Sequence, residues 1–125
     1  MTKEEKQLLL IDLCARLPYG IIVHIHDIDV DDYDRQLIGE DLDFIELDRR
    51  NCKPYLRPMS SMTPQEWCDL CDCRIEDDKA ATIINGHRFV SHVNEEGFLN
   101  SHHFDHHNLI EKGLALESPE GMYKA

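Results

Sequence analysis

The chain has 125 residues, 42% of them hydrophobic, and 25 acidic against 13 basic side chains give a formal net charge of −12. That length suits one domain, and that apolar content can bury one core, which excludes a globally disordered chain. The negative balance speaks against a general binder of phosphate backbones and against docking on anionic membrane, and no apolar run approaches the roughly 20 residues of a spanning helix.

From residue 3 to residue 17, Leu9, Leu10, Leu13, Cys14 and Leu17 make one helical stripe. Thr2 with Glu5 three residues on forms a capping box, and Pro18 and Gly20 end the helix. Acids precede the Leu/Ile run and Asp12 interrupts it, so this start reads as an amphipathic helix rather than a signal peptide. "IIVHIHDIDV" reads as a strand with Ile21, Val23 and Ile25 on one face. The phase then slips to Ile28 and Val30, which predicts a bulge or bend near residues 26–27.

"QLIGEDLDFIEL" predicts a second strand pair or hairpin broken at residues 39–41. "NCKPYLRPMSSMT", with Pro54 and Pro58, reads as an extended connector. Thr63, Pro64 and Glu66 then supply an N-cap, an N1 proline and a capping-box acid for a helix through "EWCDLCD". "ATIINGHRFV" predicts two short strands around an Asn85-Gly86 turn, where Ile83, Ile84, Phe89 and Val90 can pair. A short helix is expected at residues 95–103. Asp105 would cap a second one that Gly113 closes, with Leu114 packing back. There is no internal repeat or linker. The expectation is one α+β domain over residues 1–125: a small antiparallel sheet with an N-terminal helix, a central capped helix and a C-terminal helical pair.

Three stretches carry a resemblance: "LCARLPYG", "KPYLRPMSSMT" and "FLNSHHFD…LIEKGLALESPEGMY". Together they touch about half the chain. They resemble segments of a family of small uncharacterised proteins from gut-bacterial genomes, their phages and mobile elements. The resemblance implies an accessory protein of phage or mobile-element origin and implies no mechanism. In that pattern "HHFD" is followed by an aromatic and a basic residue, where this chain has His106 and His107. Cys68, Cys71 and Cys73 also lie outside the pattern.

Four histidines and an aspartate crowd into "SHHFDHHN". His102 and His106 are four apart, as are His103 and His107, so a continuous helix would stack each pair on one face and could hold zinc. The metal candidates are therefore His102, His103, Asp105, His106 and His107. Against this, Asp105 is a good N-cap, and a helix starting there would pull the pairs apart. The alternative makes Phe104 core and the histidines the frame of a helix–helix corner. Four clustered imidazoles would also titrate together near pH 6.

The odd count of five cysteines gives no disulfide framework, and a reducing, cytoplasmic setting is the simplest reading. In "CDLCDC", Cys68 and Cys71 sit three apart beside Trp67. A zinc site there would need His87 and His92, and the default is buried apolar thiols.

Residues 27–48 hold ten acids and one base, Arg35. "DIDVDDYDRQLI" fails as a calcium loop because Asp32 stands where glycine is needed and Ile38 where a bidentate Glu is needed. A strand would put many of these carboxylates on one solvated face, either solubilising or a surface for a basic protein partner. A nucleic-acid mimic is one form the second could take. The partner-binding candidates are Asp27, Asp29, Asp31, Asp32, Asp34, Glu40, Asp41 and Asp43.

Opposing them, Arg49, Arg50, Lys53 and Arg57 surround Tyr55. They make a poor nucleic-acid footprint and are expected to pair with nearby acids, or, for Arg57, to anchor the connector. No Gly-rich phosphate loop, G-x-S-x-G or H-E-x-x-H occurs, and a His87, Asn100, His102, His103 nuclease can only be drawn on paper. The reading that follows is a soluble, non-catalytic protein binding a protein partner without cofactor. The alternatives are a zinc site or metal-dependent enzyme on the histidine cluster, or a structural subunit of a larger assembly.

Overall fold

The computed structural model describes residues 1–27 and 29–123. The fold is α+β. Helix α1 (Lys3–Arg16) is followed by strands β1 (Ile22–Asp27) and β2 (Val30–Gln36), helix α2 (Gly39–Glu46) and strand β3 (Asn51–Leu56). Then come helix α3 (Pro64–Lys79), strands β4 (Thr82–Ile84) and β5 (His87–Phe89), helix α4 (Val93–Ser101) and the two-residue strand β6 (Leu116–Glu117). Among the described residues no helix is long and apolar enough to cross a membrane.

The main sheet runs β2-β1-β3-β6. Its first three strands are antiparallel, but β6 joins β3 in parallel, so the sheet is mixed rather than purely antiparallel. The register shifts between Ile25 and Asp27, where the hydrophobic phase predicted a bulge. Ile28 lies outside the described residues, and Val30 is exposed rather than core. "NCKPYL" is a sheet strand and not a connector. Pro54 is tolerated because β6 reaches β3 only at Tyr55 and Leu56, leaving β3 an edge at the proline.

One sheet face, from Val23, Ile25, Cys52 and Leu56, packs with Leu9 and Leu13 of α1, Ile45 of α2, and Leu109, Leu114 and Ala115. A smaller cluster of Met62, Leu70, Leu99 and Phe104 holds α3 to α4. The caps at Thr2 and Thr63 form as the sequence predicts, each hydroxyl accepting the N–H three residues on.

Two further expectations fail. "GEDLDFIE" is a helix, not half of a hairpin. Asp41 and Ile45, four apart, turn inward together, and the Asp41 carboxylate accepts the Ile38 N–H to close the first turn. The C-terminal helical pair is one helix followed by turns. His103 and Asn108 adopt left-handed backbone (φ 63° and 56°), and the Asp105 carboxylate takes the N–H groups of Leu109 and Ile110, four and five residues on. Those are not the N2 and N3 groups of a capped helix. Leu114 does pack back into the core.

The β4–β5 hairpin forms around Asn85 and Gly86, both at positive φ, as a type I′ turn requires. Its register sets Ile83 opposite Arg88 rather than against an apolar partner, and Ile83, Ile84 and Phe89 remain exposed.

Candidate functional site

The five residues of the predicted metal set do not converge. His102 leans on Phe98, ring centroids 4.3 Å apart, with Nδ1 3.5 Å from Glu66. His103 is buried and stacks on Tyr123 at 3.8 Å. Asp105 spends both carboxylate oxygens on backbone N–H groups. Only His106 and His107 approach one another, and the group that joins them is Asp12 of α1, with ligand-type atoms within 4.8 Å. Phe104 is fully buried, as expected of a core residue.

Asp12 is the residue that sequence reasoning missed. An acid inside an apolar run, with Arg16 one turn later, was the available signal. Arg16 donates to Asp12 at 2.8 and 3.1 Å and to the Phe104 carbonyl at 2.7 Å. His107 Nδ1 lies 2.7 Å from Asp12 Oδ1, and His106 Nε2 lies 2.8 Å from Asn100 Oδ1. The backbone adds to this junction, because Arg57 and the 103–105 stretch exchange two hydrogen bonds. The network therefore fixes α1, the end of β3 and the residues after α4 to one another.

A metal ion at Asp12, His106 and His107 meets a cost. Both Asp12 oxygens already neutralise a buried guanidinium, and an added cation would put like charges together in a dry place. Burial, then the neighbouring His107 and Arg16, lower the His106 pKa to about 4. Burial, then Arg16, His102 and Arg57, bring His103 to about 4 as well. His103 and His106 thus stand apart from the set expected to titrate together near pH 6. Nor does the sketched nuclease assemble: Asn100 serves His106, His103 serves Tyr123, and His87 sits on the exposed hairpin.

A second ligand-type group, Asp77, His92 and Glu95, has a structural explanation. Asp77 accepts the N–H groups of Asn94 and Glu95 and so caps α4, while Glu95 pairs with Arg74 at 2.9 Å. The cysteines also depart from expectation. Cys52 is buried, its thiol pushed up to about 11 by burial, but Cys68 and Cys71 are exposed on α3 rather than packed.

The acidic run is divided among several environments rather than laid on one strand face. Asp41 is fully buried and held by Arg35 at 2.8 and 2.7 Å and by Arg50 at 2.8 Å. Burial opposes its charge, yet Arg35, the Ile38 N–H and Arg50 together keep its carboxyl below the usual range. It cannot serve an outside partner. Asp27 faces Arg50 at 3.5 Å.

Asp32 and Asp34 lie on the open sheet face with two histidines. His24 Nδ1 sits 2.7 Å from Asp34, and His26 Nδ1 sits 2.6 Å from Asp32. The Asp34 hydrogen bond, against partial burial, raises the His24 pKa. Strand alternation puts Asp31 on the other side with Tyr33. Glu40 and Asp43 belong to α2, not to a strand. Among the described residues Asp29, Asp31, Glu40 and Asp43 are exposed and form no ion pair.

The basic quartet behaves mostly as expected. Arg50 pairs with Asp41, and Arg57 grips Glu66 at 2.7 and 2.8 Å, which takes the Glu66 carboxyl down to about 2. Lys53 lines a groove of about 350 Å³ with His24, His26, Asp32, Asn51 and Leu116. Set against protein families, curated proteins and solved structures, the chain matches none.

Proposed function

We propose that the chain is a non-catalytic accessory protein, of phage or mobile-element origin and cytoplasmic, that binds a basic protein partner through the exposed acids of β2 and α2. The observation that supports this is the position of β2. It is the outer strand of the sheet, every side chain except the half-buried Arg35 is exposed, and Asp31 and Tyr33 share one face while Asp32 and Asp34 share the other. An aromatic ring beside the unpaired Asp31 on a free edge suits an extended basic segment, which charge would steer toward it. The surface is narrower than the sequence suggested: Asp29, Asp31, Asp32, Asp34, Glu40 and Asp43, without Asp27, which faces Arg50, and without the buried Asp41.

The test is binding of a fluorescent lysine-rich peptide followed by anisotropy at low and physiological salt. Wild type should bind at low salt and weaken as salt rises. A D29K/D31K/E40K variant with an unchanged circular dichroism spectrum should lose about tenfold or more in affinity, the size of one good charge pair. Equal affinity of the two proteins would refute the reading.

A second reading has one specific observation behind it, the convergence of Asp12, His106 and His107. A zinc-class ion held there would show as near-stoichiometric metal in untagged protein purified without chelator. It would also cost Arg16 its hold on Asp12.

A further inference from the structure

Helix α3 has two unlike faces. Glu66, Leu70, Cys73 and Asp77, spaced four, three and four apart, turn inward. Trp67, Cys68, Cys71 and Ile75 turn outward, with Trp67 45% and Ile75 50% exposed. A helix that shows solvent a tryptophan, two thiols and an isoleucine leaves an apolar stripe uncovered. Ile83, Ile84, Phe89 and Val93 of the following hairpin and α4 are exposed too.

We propose that Cys68 and Cys71 are half of a four-thiolate zinc site, completed by the same two residues of a second copy of this chain. Residues three apart on a helix are surface neighbours, about 5–6 Å between Cβ atoms, so both sulfurs can reach one ion at about 2.3 Å. A closed tetrahedral zinc site needs four ligands. The chain does not supply the other two: among the described residues, neither group of three converging ligand-type side chains contains a cysteine. His87 and His92, the other candidates by sequence, lie on the hairpin and at the start of α4, where His92 faces Glu95.

The stripe suits a two-fold partner. The Cys68 and Cys71 pair reads the same in both directions about the point between residues 69 and 70. An antiparallel second α3 centred there would set each Cys68 against Cys71 of the other copy, so that all four sulfurs face one point, with Trp67 of each copy beside them. That is an isologous contact. Charge decides that the ion must come first. Two chains of net charge −12 repel one another, while Asp69 and Asp72 beside the thiols draw a divalent cation. On binding, each thiol gives its proton to water as its sulfur–zinc bond forms. Four thiolates and one Zn²⁺ leave a charge of −2, and no electron moves.

The experiment is titration of reduced, untagged protein with Zn²⁺ in a phosphine reductant, followed by sedimentation velocity, with Co²⁺ as a spectroscopic stand-in. The expected result is a dimer with one ion per two chains, dissociated by chelator, and a thiolate-to-cobalt absorption band. C68S and C71S, both at exposed positions, should each abolish the dimer and the band. C73S and H106A/H107A should retain both, which separates this site from the rival one at Asp12. A monomer that binds the ion, a dimer that survives chelator or C68S, or no binding at all would overturn the proposal.

Discussion

Asp12 and Arg16 stand one turn apart on α1, neither with any exposed surface, and the guanidinium holds the carboxylate at 2.8 and 3.1 Å. Each charge is tolerable there only because of the other. Asp12→Ala would leave Arg16 with the Phe104 carbonyl alone and His107 without its acceptor. The cost expected for a broken buried pair is about 3–5 kcal/mol, read from the urea midpoint. Asp12→Leu combined with Arg16→Met should recover a large part of it, since no orphaned charge remains. If the single variant unfolds at the wild-type midpoint, the pair is not what ties α1 to the corner.

Two acids of α2, two residues apart, should behave in opposite ways. Asp41→Ala strips Arg35 and Arg50 of their common acceptor and should cost about 2 kcal/mol or more, less than a wholly dry pair because Arg35 is partly solvated. Asp43→Ala, exposed and unpaired, should stay within about 0.5 kcal/mol of wild type. Thermal melts of the two variants decide it, and equal melting points would mean Asp41 is not a hub.

Acid should weaken the fold in two stages. The neutral forms of His103 and His106 are favoured by burial, so their folded pKa values, about 4, lie below the ordinary 6.5. That contribution is complete above about pH 6.5 and declines as pH falls toward 4. Glu66, held down to about 2 by Arg57, adds a second loss as pH falls from about 4.5 to 2. His24 has the opposite sign: its raised pKa favours the fold below about 6.5, and the gain disappears as pH rises through the folded value. Imidazole NMR at about pH 5 should show His103 and His106 neutral while His24 is protonated. Coincident titration of these three would contradict this.

Thr63→Ala should cost about 1 kcal/mol, because the hydroxyl accepts the Glu66 N–H at the start of α3. Thr63→Ser should be nearly silent. Chemical denaturation of both variants would show it, and a silent alanine would mean that Arg57 and Glu66 hold the helix start without the cap.

What was legible in the sequence was local. The caps at Thr2 and Thr63 and the Asn85-Gly86 turn are written within four or five residues, so spacing alone locates them. Helix α2 was misread because eight residues with Leu42, Phe44 and Ile45 suit a strand nearly as well. What settles its form is Asp41, whose partners Arg35 and Arg50 lie outside the helix. The histidine cluster was legible only in part: Phe104 is core as expected, but the helix expected to start at Asp105 does not form. Spacing of four means proximity only on a continuous helix, and His103 takes a left-handed conformation that a non-glycine residue seldom announces. The group that organises His107 lies 95 residues away, on α1.

The hairpin of β4 and β5 belongs to neither apolar cluster. Its opening would therefore expose no core, and its amides should exchange with solvent water long before those of Val23 or Ile25. The same independence makes the Asn85-Gly86 tip the natural place to lengthen this chain. A peptide tag or a small domain spliced there would leave both clusters assembled and turn the protein into a carrier for whatever is inserted.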